Sequence, residues 1–123
     1  MNLNPKKLHL GCGSKFIPNF YHIDISDEEH IDARADVKDL SFIDDNSVSL
    51  IYACHVLEHF GRWEVEKVLI EWRRVLEPRG ILRLAVPDFS ACSRLYNNGT
   101  LENGLCDLLG LLCGGQKDQF DFH

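Results

Sequence analysis

Strand signals and helix signals alternate along this chain, and that order favours a parallel sheet covered by helices. A nearly continuous apolar run, Val48 to Ala53, is typical of a strand buried on both faces. From about Glu64 to Leu76, apolar residues repeat at three- and four-residue spacing and predict an amphipathic helix. The chain is therefore predicted to be an α/β protein. Its predicted strands are Lys7 to Leu10, Tyr21 to Ile25, Ala35 to Val37, Val48 to Ala53 and Ile81 to Val86.

The residues after the fifth predicted strand indicate two more helices and no further strand. The first helix follows Asp88 and runs through Asn97, and the second is apolar and ends near Gly114-Gly115. At 123 residues and 45% hydrophobic content, residues 1–123 are predicted to form one domain.

Because no further strand is predicted after the fifth, the edge of the sheet is expected to be open there. An open edge pairs readily with another chain, so we also expect a homodimer through this edge. A monomer mass independent of concentration would contradict this expectation.

Composition excludes several classes of partner. The formal net charge is −6 and the basic residues are scattered, so no nucleic-acid partner is expected. The five cysteines form no CxxC pair, which disfavours both a disulfide framework and a cysteine metal site. No signal peptide or membrane-spanning stretch is evident, so no membrane partner is expected and a cytoplasmic location is predicted.

A glycine turn follows the first predicted strand, and an acid stands near the end of the second. In an open parallel sheet, ligands bind at the carboxyl ends of these strands. Gly11 and Gly13 allow the backbone to approach a ligand closely, and Asp24 can accept two hydrogen bonds from a ribose diol. A dinucleotide site would have a third glycine and a full helix, which are missing here, so a ligand without phosphates fits better. The same residues also fit a simple tight turn beside a surface aspartate.

Four segments, taken in order, resemble one known family. They are LHLGCGS, HIDIS, ADVKDLSFIDDNSVSLIYACHVLEHF and EWRRVLEPRGILRLAVPDF, and together they cover about Leu8 to Phe89. They resemble the class I S-adenosylmethionine-dependent methyltransferases, in particular the small-molecule type 11-like group. The resemblance implies a Rossmann-like, mostly parallel sheet of about five strands in the order 3-2-1-4-5 with flanking helices. It also implies transfer of a methyl group from S-adenosylmethionine to an unidentified small-molecule or saccharide-like acceptor.

The resemblance further implies where the cofactor would be held. The glycine turn would lie beneath its methionine part, and the acid of HIDIS would hold the ribose. The acid of ADV would accept from the adenine amine with a valine against the ring, although an aspartate there also fits a turn cap. Residues after the fourth strand would approach the transferring methyl. These cofactor-binding positions are Gly11, Cys12, Gly13, Asp24, Asp36, Val37, Cys54 and His55.

The catalytic group is not defined by the sequence. His55, His59 and Asp88 follow central strands and are candidates for a general base, although each also fits a polar rim residue. Because full-length family members add two further strands, the fold is predicted to be truncated. A non-catalytic S-adenosylmethionine-binding remnant is therefore the alternative function. A zinc hydrolase is a third hypothesis, since residues 55–59 match H-x-x-E-H, although no third metal ligand is evident and no metal is expected.

Overall fold

The structure is a computed structural model that describes residues 4–104. Its strands are β1 (Lys7–Leu10), β2 (Tyr21–Asp24), β3 (Ala33–Arg34), β4 (Val48–Cys54) and β5 (Leu76–Ala85). A single 3-10 turn covers Leu57–His59, and the helices are α1 (Val65–Val75) and α2 (Phe89–Asn97). The strands form one sheet in the order β3-β2-β1-β4-β5, and every neighbouring pair is parallel. The α/β fold and the strand order expected from the sequence are confirmed.

The hydrophobic core lies on one face of the central strands. Leu8 and Leu10 of β1 lie opposite Ile51 and Ala53 of β4, and all four side chains are buried. Burying one leucine or isoleucine side chain contributes roughly 1.5–3 kcal/mol to stability. Trp72 of α1 is fully buried in the same cluster, so this helix is the cover of that face.

The amphipathic segment forms α1 as predicted, one residue shorter at each end. Its buried residues, Val68, Trp72 and Val75, stand four and three positions apart and so share one side of the helix. The helix ends at Leu76, where the backbone becomes extended. Directly after the helix, the chain enters β5 without an intervening loop.

The loop after β3 is fastened to α1 by polar contacts. The Trp72 indole N–H donates to the Val37 carbonyl at 2.9 Å, and the Arg74 guanidinium donates to the Leu40 carbonyl at 2.8 Å. Arg74 is itself held by Glu71, whose carboxylate accepts from its Nε at 2.7 Å and from the Leu40 N–H at 2.8 Å. These contacts hold the loop after β3 against α1, and the same loop forms one wall of the candidate site.

The third strand lies two residues earlier than predicted. The structure places it at Ala33–Arg34 instead of Ala35 to Val37. The chain leaves the sheet after Ala35, because the Asp36 carboxylate accepts from the Lys38 N–H at 2.9 Å and turns the backbone there. The prediction was wrong because it read ADV as strand, whereas Asp36 forms a turn.

The fifth strand begins five residues earlier than predicted. Pro78-Arg79-Gly80 was expected to separate the helix from a strand at Ile81 to Val86, but β5 spans Leu76–Ala85. Leu76 pairs with Val48 and Ile81 pairs with Leu50, so residues 77–80 form an irregular bulge in the ladder. A proline is tolerated in such a bulge because no ladder hydrogen bond is required of it. At Gly80 an added Cβ would lie 3.1 Å from the Val48 carbonyl oxygen, which favours a residue without a side chain.

The second helix follows the prediction, and the last one cannot be compared. The Asp88 carboxylate accepts from the Ala91 N–H at 3.1 Å and so begins α2. The apolar helix predicted to end near Gly114-Gly115 lies outside residues 4–104. Within the described range, no helix is long and apolar enough to cross a membrane.

The edge strand β5 carries exposed apolar side chains on both faces of the sheet. Ile81 and Leu84 of β5, together with Val86 and Phe89 just after it, are exposed. Within residues 4–104, β5 pairs only with β4. Self-association along this edge stays a prediction.

Candidate functional site

A crevice of about 480 Å³ opens at the carboxyl ends of β1, β2 and β4. Strand order changes direction there, since β1 connects to β2 on one side and pairs with β4 on the other. That position is where open parallel sheets bind their ligands. The crevice is lined by Gly11, Gly13, Asp24, Ile25, Ala35, Asp36, Val37, Lys38, His55, Val56, His59, Phe60 and Glu64.

The glycine turn forms the floor of the crevice. Gly11 and Gly13 have φ values of 62° and 53°, in the left-handed region that glycine adopts without strain. The Gly11 N–H donates to the Ile23 carbonyl at 2.9 Å, which ties the turn to β2. An added Cβ at Gly11 would lie 2.6 Å from a Val56 methyl group, whereas one at Gly13 would contact nothing within 4 Å. Gly11 therefore permits a close approach of two chain segments, and Gly13 leaves open space above the turn.

Asp24 is held at the end of β2 by backbone donors. Its Oδ2 accepts from the Gly13 N–H and its Oδ1 from the Ser26 N–H, both at 2.8 Å. Burial alone would raise the pKa of Asp24, but these amide hydrogen bonds outweigh burial and hold the pKa below its usual value. The carboxylate is therefore ionised at neutral pH, fixed in orientation, and left with further lone pairs to accept from a diol.

Asp36 lies in the opposite wall as part of an ionic group. The Lys38 ammonium is 3.2 Å from Glu64 Oε2 and 3.6 Å from Asp36 Oδ2. The hydrogen bond to Glu64 and the charge of Asp36 raise the pKa of Lys38 above its usual value. Asp36 therefore forms a turn, which the sequence offered as the alternative to a role in adenine binding, and it also lines the crevice. Asp24 and Asp36 line one common crevice.

The third wall is the segment after β4. His55 has a φ of 56°, which is uncommon for a residue with a side chain, and its N–H donates to the Ala85 carbonyl at 2.8 Å. The Glu58 carboxylate lies 3.3 Å from His55 Nδ1 and 3.9 Å from His59 Nε2. Both histidines line the crevice, and Val56 packs between this segment and the glycine turn.

The H-x-x-E-H segment does not form the helix that a zinc peptidase requires. His55 precedes a single 3-10 turn at Leu57–His59, so the two histidines do not share a helix face. Among residues 4–104, no group of three or more histidine, cysteine or acidic side chains could hold a metal ion. The geometry of this segment therefore does not support zinc hydrolysis.

Three of the residues singled out in the sequence do not line the crevice. Cys12 is buried, and burial together with the charge of Asp24 raises the pKa of its thiol to about 11, so it is protonated at neutral pH. Cys54 is half-buried at the end of β4. Asp88 is occupied as the cap of α2.

Several crevice residues were not anticipated. Lys38 and Glu64 are 26 positions apart in the sequence and meet only because α1 begins beside the loop after β3. Val56 and Phe60 add apolar surface to the same crevice. The only sequence signal for these four is that each stands next to, or within a few positions of, a motif residue or helix start.

The comparisons with known proteins agree with this arrangement. A family model described as a methyltransferase domain matches residues 8–84, which is more than half of the chain and covers the five strands except for one residue at each end of the match. No curated protein matches the chain significantly. The match covers the glycine turn, Asp24, Asp36 and the segment after β4 in a sheet of the expected order, and the chain belongs to the class I S-adenosylmethionine-dependent methyltransferase family.

Proposed function

We propose that this chain binds S-adenosylmethionine in the crevice and transfers its methyl group to a small-molecule or saccharide-like acceptor. The observation that carries the proposal is the Asp24 carboxylate, which two backbone amides hold in place beside the glycine turn. An ionised carboxylate with spare lone pairs fits the two hydroxyls of a ribose.

The other walls fit the remaining parts of the cofactor. Asp36 and Val37 offer a carboxylate and an apolar side chain on the wall beside β2, which suits the amine and the ring of adenine. Gly11 and Gly13 form a floor where a bound molecule can approach the backbone, which suits the methionine part.

The charge of the crevice favours this cofactor over a dinucleotide. Asp24, Asp36 and Glu64 line it, and among residues 4–104 the one opposing ammonium is that of Lys38, which already contacts two of these carboxylates. Such a surface repels phosphate groups and attracts a sulfonium cation. The turn after β1 also lacks the long helix whose amino end would receive a pyrophosphate.

The cofactor supplies a methyl group on a positively charged sulfur, which is already reactive toward a nucleophile. The chain's part is to hold the acceptor in line with that methyl and to exclude water. His55 and His59 stand at the wall after β4, where an acceptor can be oriented or lose a proton. A non-catalytic binding remnant is the second candidate, favoured by apolar side chains on and just after β5 that no part of residues 4–104 covers.

A thermal shift with S-adenosylhomocysteine, with NAD in parallel, tests the proposal. At one hundred times its dissociation constant, a ligand stabilises the folded chain by about 2.7 kcal/mol. We expect this shift with S-adenosylhomocysteine and none with NAD. A shift with NAD alone would assign the crevice to a dinucleotide. Methyl transfer from labelled S-adenosylmethionine to a panel of hydroxylated and saccharide acceptors then separates an enzyme from a remnant.

A further inference from the structure

The buried carboxylate behind the two crevice histidines is not used by the cofactor site as described. The Glu58 side chain is only 8% exposed, although the residue lies in a surface turn at the carboxyl end of β4. Its Oε2 is buried and has no hydrogen-bond partner among the described residues. Burying a carboxylate without full satisfaction costs free energy, so the position of Glu58 requires an explanation from the groups around it.

The neighbour that Glu58 serves is His55. Glu58 Oε1 lies 3.3 Å from His55 Nδ1 and 3.9 Å from His59 Nε2, so its negative charge acts most closely on His55 Nδ1. His55 is fixed from the backbone as well, because its N–H donates to the Ala85 carbonyl of β5. Its left-handed φ of 56° is a conformation that persists only when the surroundings impose it, and such conformations cluster at functional sites.

We propose that Glu58 is a positioning residue that keeps the proton of neutral His55 on Nδ1. His55 Nε2 is then an unprotonated acceptor on a ring that lines the crevice and is 61% exposed. His55 is the general base for the acceptor, and that acceptor carries a hydroxyl group that must lose its proton to become a nucleophile. This inference rests on the proposed function, and it adds the class of nucleophile and the group that receives the proton.

The transfer balances with these groups alone. The acceptor oxygen forms a bond to the methyl carbon, and its proton passes to His55 Nε2. The bond between that carbon and the sulfur breaks, and its electron pair remains on the sulfur as a neutral thioether. The imidazolium that forms is stabilised by the Glu58 carboxylate at Nδ1.

The tautomer of His55 can be measured without any acceptor. In the 15N-labelled chain of 123 residues at mildly alkaline pH, we expect the imidazole nitrogen shifts of His55 to show a protonated Nδ1 and an unprotonated Nε2. Glu58→Gln is expected to shift His55 toward the opposite tautomer or a mixture. Glu64→Gln, which removes another crevice carboxylate that contacts Lys38 instead, should leave the His55 signals as they are.

The kinetic arm uses any hydroxylated acceptor that the native chain methylates. His55→Gln should lower kcat by about 10²–10⁴-fold, the usual contribution of a general base. Glu58→Gln should lower kcat by part of that factor while the affinity for S-adenosylhomocysteine changes less than twofold.

The outcomes separate this inference from the proposed function. A His55 protonated at Nε2 in the native chain, or a tautomer unaffected by Glu58→Gln, overturns the inference even if S-adenosylhomocysteine binds. A chain that binds no S-adenosylhomocysteine overturns the proposed function, whatever the tautomer. If Glu58→Gln fails to fold, Glu58→Asp, which keeps the charge but draws it back from the ring, provides the same comparison.

Discussion

The two faces of the sheet are made from the same strands but are filled in different ways. On one face, Leu8 and Leu10 of β1 are buried beneath α1 and Trp72. On the other face, the intervening residue His9 lies beside His22 of β2 and Tyr52 of β4. Side chains that alternate along one strand therefore serve two functions, since the aliphatic face holds the fold together and the opposite face carries titratable groups.

The polar face is organised around a histidine cluster, which comprises His9, His22 and His30. The ring centroids of His9 and His22 are 5.3 Å apart, and those of His22 and His30 are 5.2 Å apart. His22 Nε2 accepts from the Ile17 N–H at 3.0 Å, and Phe16 stacks on the same ring. His9 Nδ1 and His30 Nε2 are buried and have no hydrogen-bond partner among the described residues.

The site carboxylate belongs to this polar face. Along β2, Ile23 points into the aliphatic core, while His22 and Asp24 alternate with it on the other side. The negative charge of Asp24 also acts on His9, whose pKa it tends to raise. The face of the sheet that contributes less to the hydrophobic core therefore carries the carboxylate that lines the crevice.

The largest expected effect comes from opening the aliphatic face. Trp72→Ala should lower the free energy of unfolding by about 3–5 kcal/mol, because it leaves a cavity in the core and removes the indole hydrogen bond to Val37. Trp63→Ala is the matched control, since Trp63 is 79% exposed and its loss should cost no more than about 0.5 kcal/mol. Chemical denaturation measures both variants, and equal losses would contradict the assignment of the core to one face.

A smaller effect is expected on the histidine face, and it depends on pH. Burial first, and then the charges of His22 and His30, lower the pKa of His9 below the ordinary 6.5, while Asp24 opposes them. The unfolded chain then binds a proton at His9 before the folded chain does. Stability from this residue is complete above pH 6.5 and is lost as the pH falls below it.

The dependence can be isolated with a residue that does not titrate. We expect the free energy of unfolding of the native chain to fall as the pH is lowered from neutrality to the range where carboxylates titrate. In His9→Gln, the same free energy should fall less over this range. Asp24 and Glu71 also lose stabilising interactions in acid, but their lowered pKa values place that loss below their ordinary values of 3.8 and 4.5. The same slope in both chains would show that His9 does not set the response.

Much of the fold could be predicted because local patterns determined it. The period of α1 and the apolar runs of β1 and β4 are visible in the sequence, and their bounds agree to within a residue. The predicted bounds of β3 and β5 were wrong because proline, glycine and aspartate occur both in turns and in bulges, and the sequence alone does not distinguish the two. Only the pairing of Leu76 with Val48 distinguishes the two.

The site could be predicted only where motif residues stand close together in the sequence. The glycine turn, Asp24 and Asp36 follow from the family resemblance, and the structure brings them to one crevice. The contact between Lys38 and Glu64, and the histidine cluster, depend on long-range packing that no local pattern encodes.

The most direct test is the affinity of S-adenosylhomocysteine, measured by calorimetry for the native chain, for Asp24→Asn and for Asp27→Asn. The control, Asp27, is an exposed acid three positions away and outside the crevice, so its change removes the same charge. If Asp24 holds the ribose, Asp24→Asn weakens binding by on the order of ten- to a hundredfold and Asp27→Asn leaves it unchanged. Undiminished binding by Asp24→Asn, or an equal loss in both variants, would contradict a cofactor held by this carboxylate.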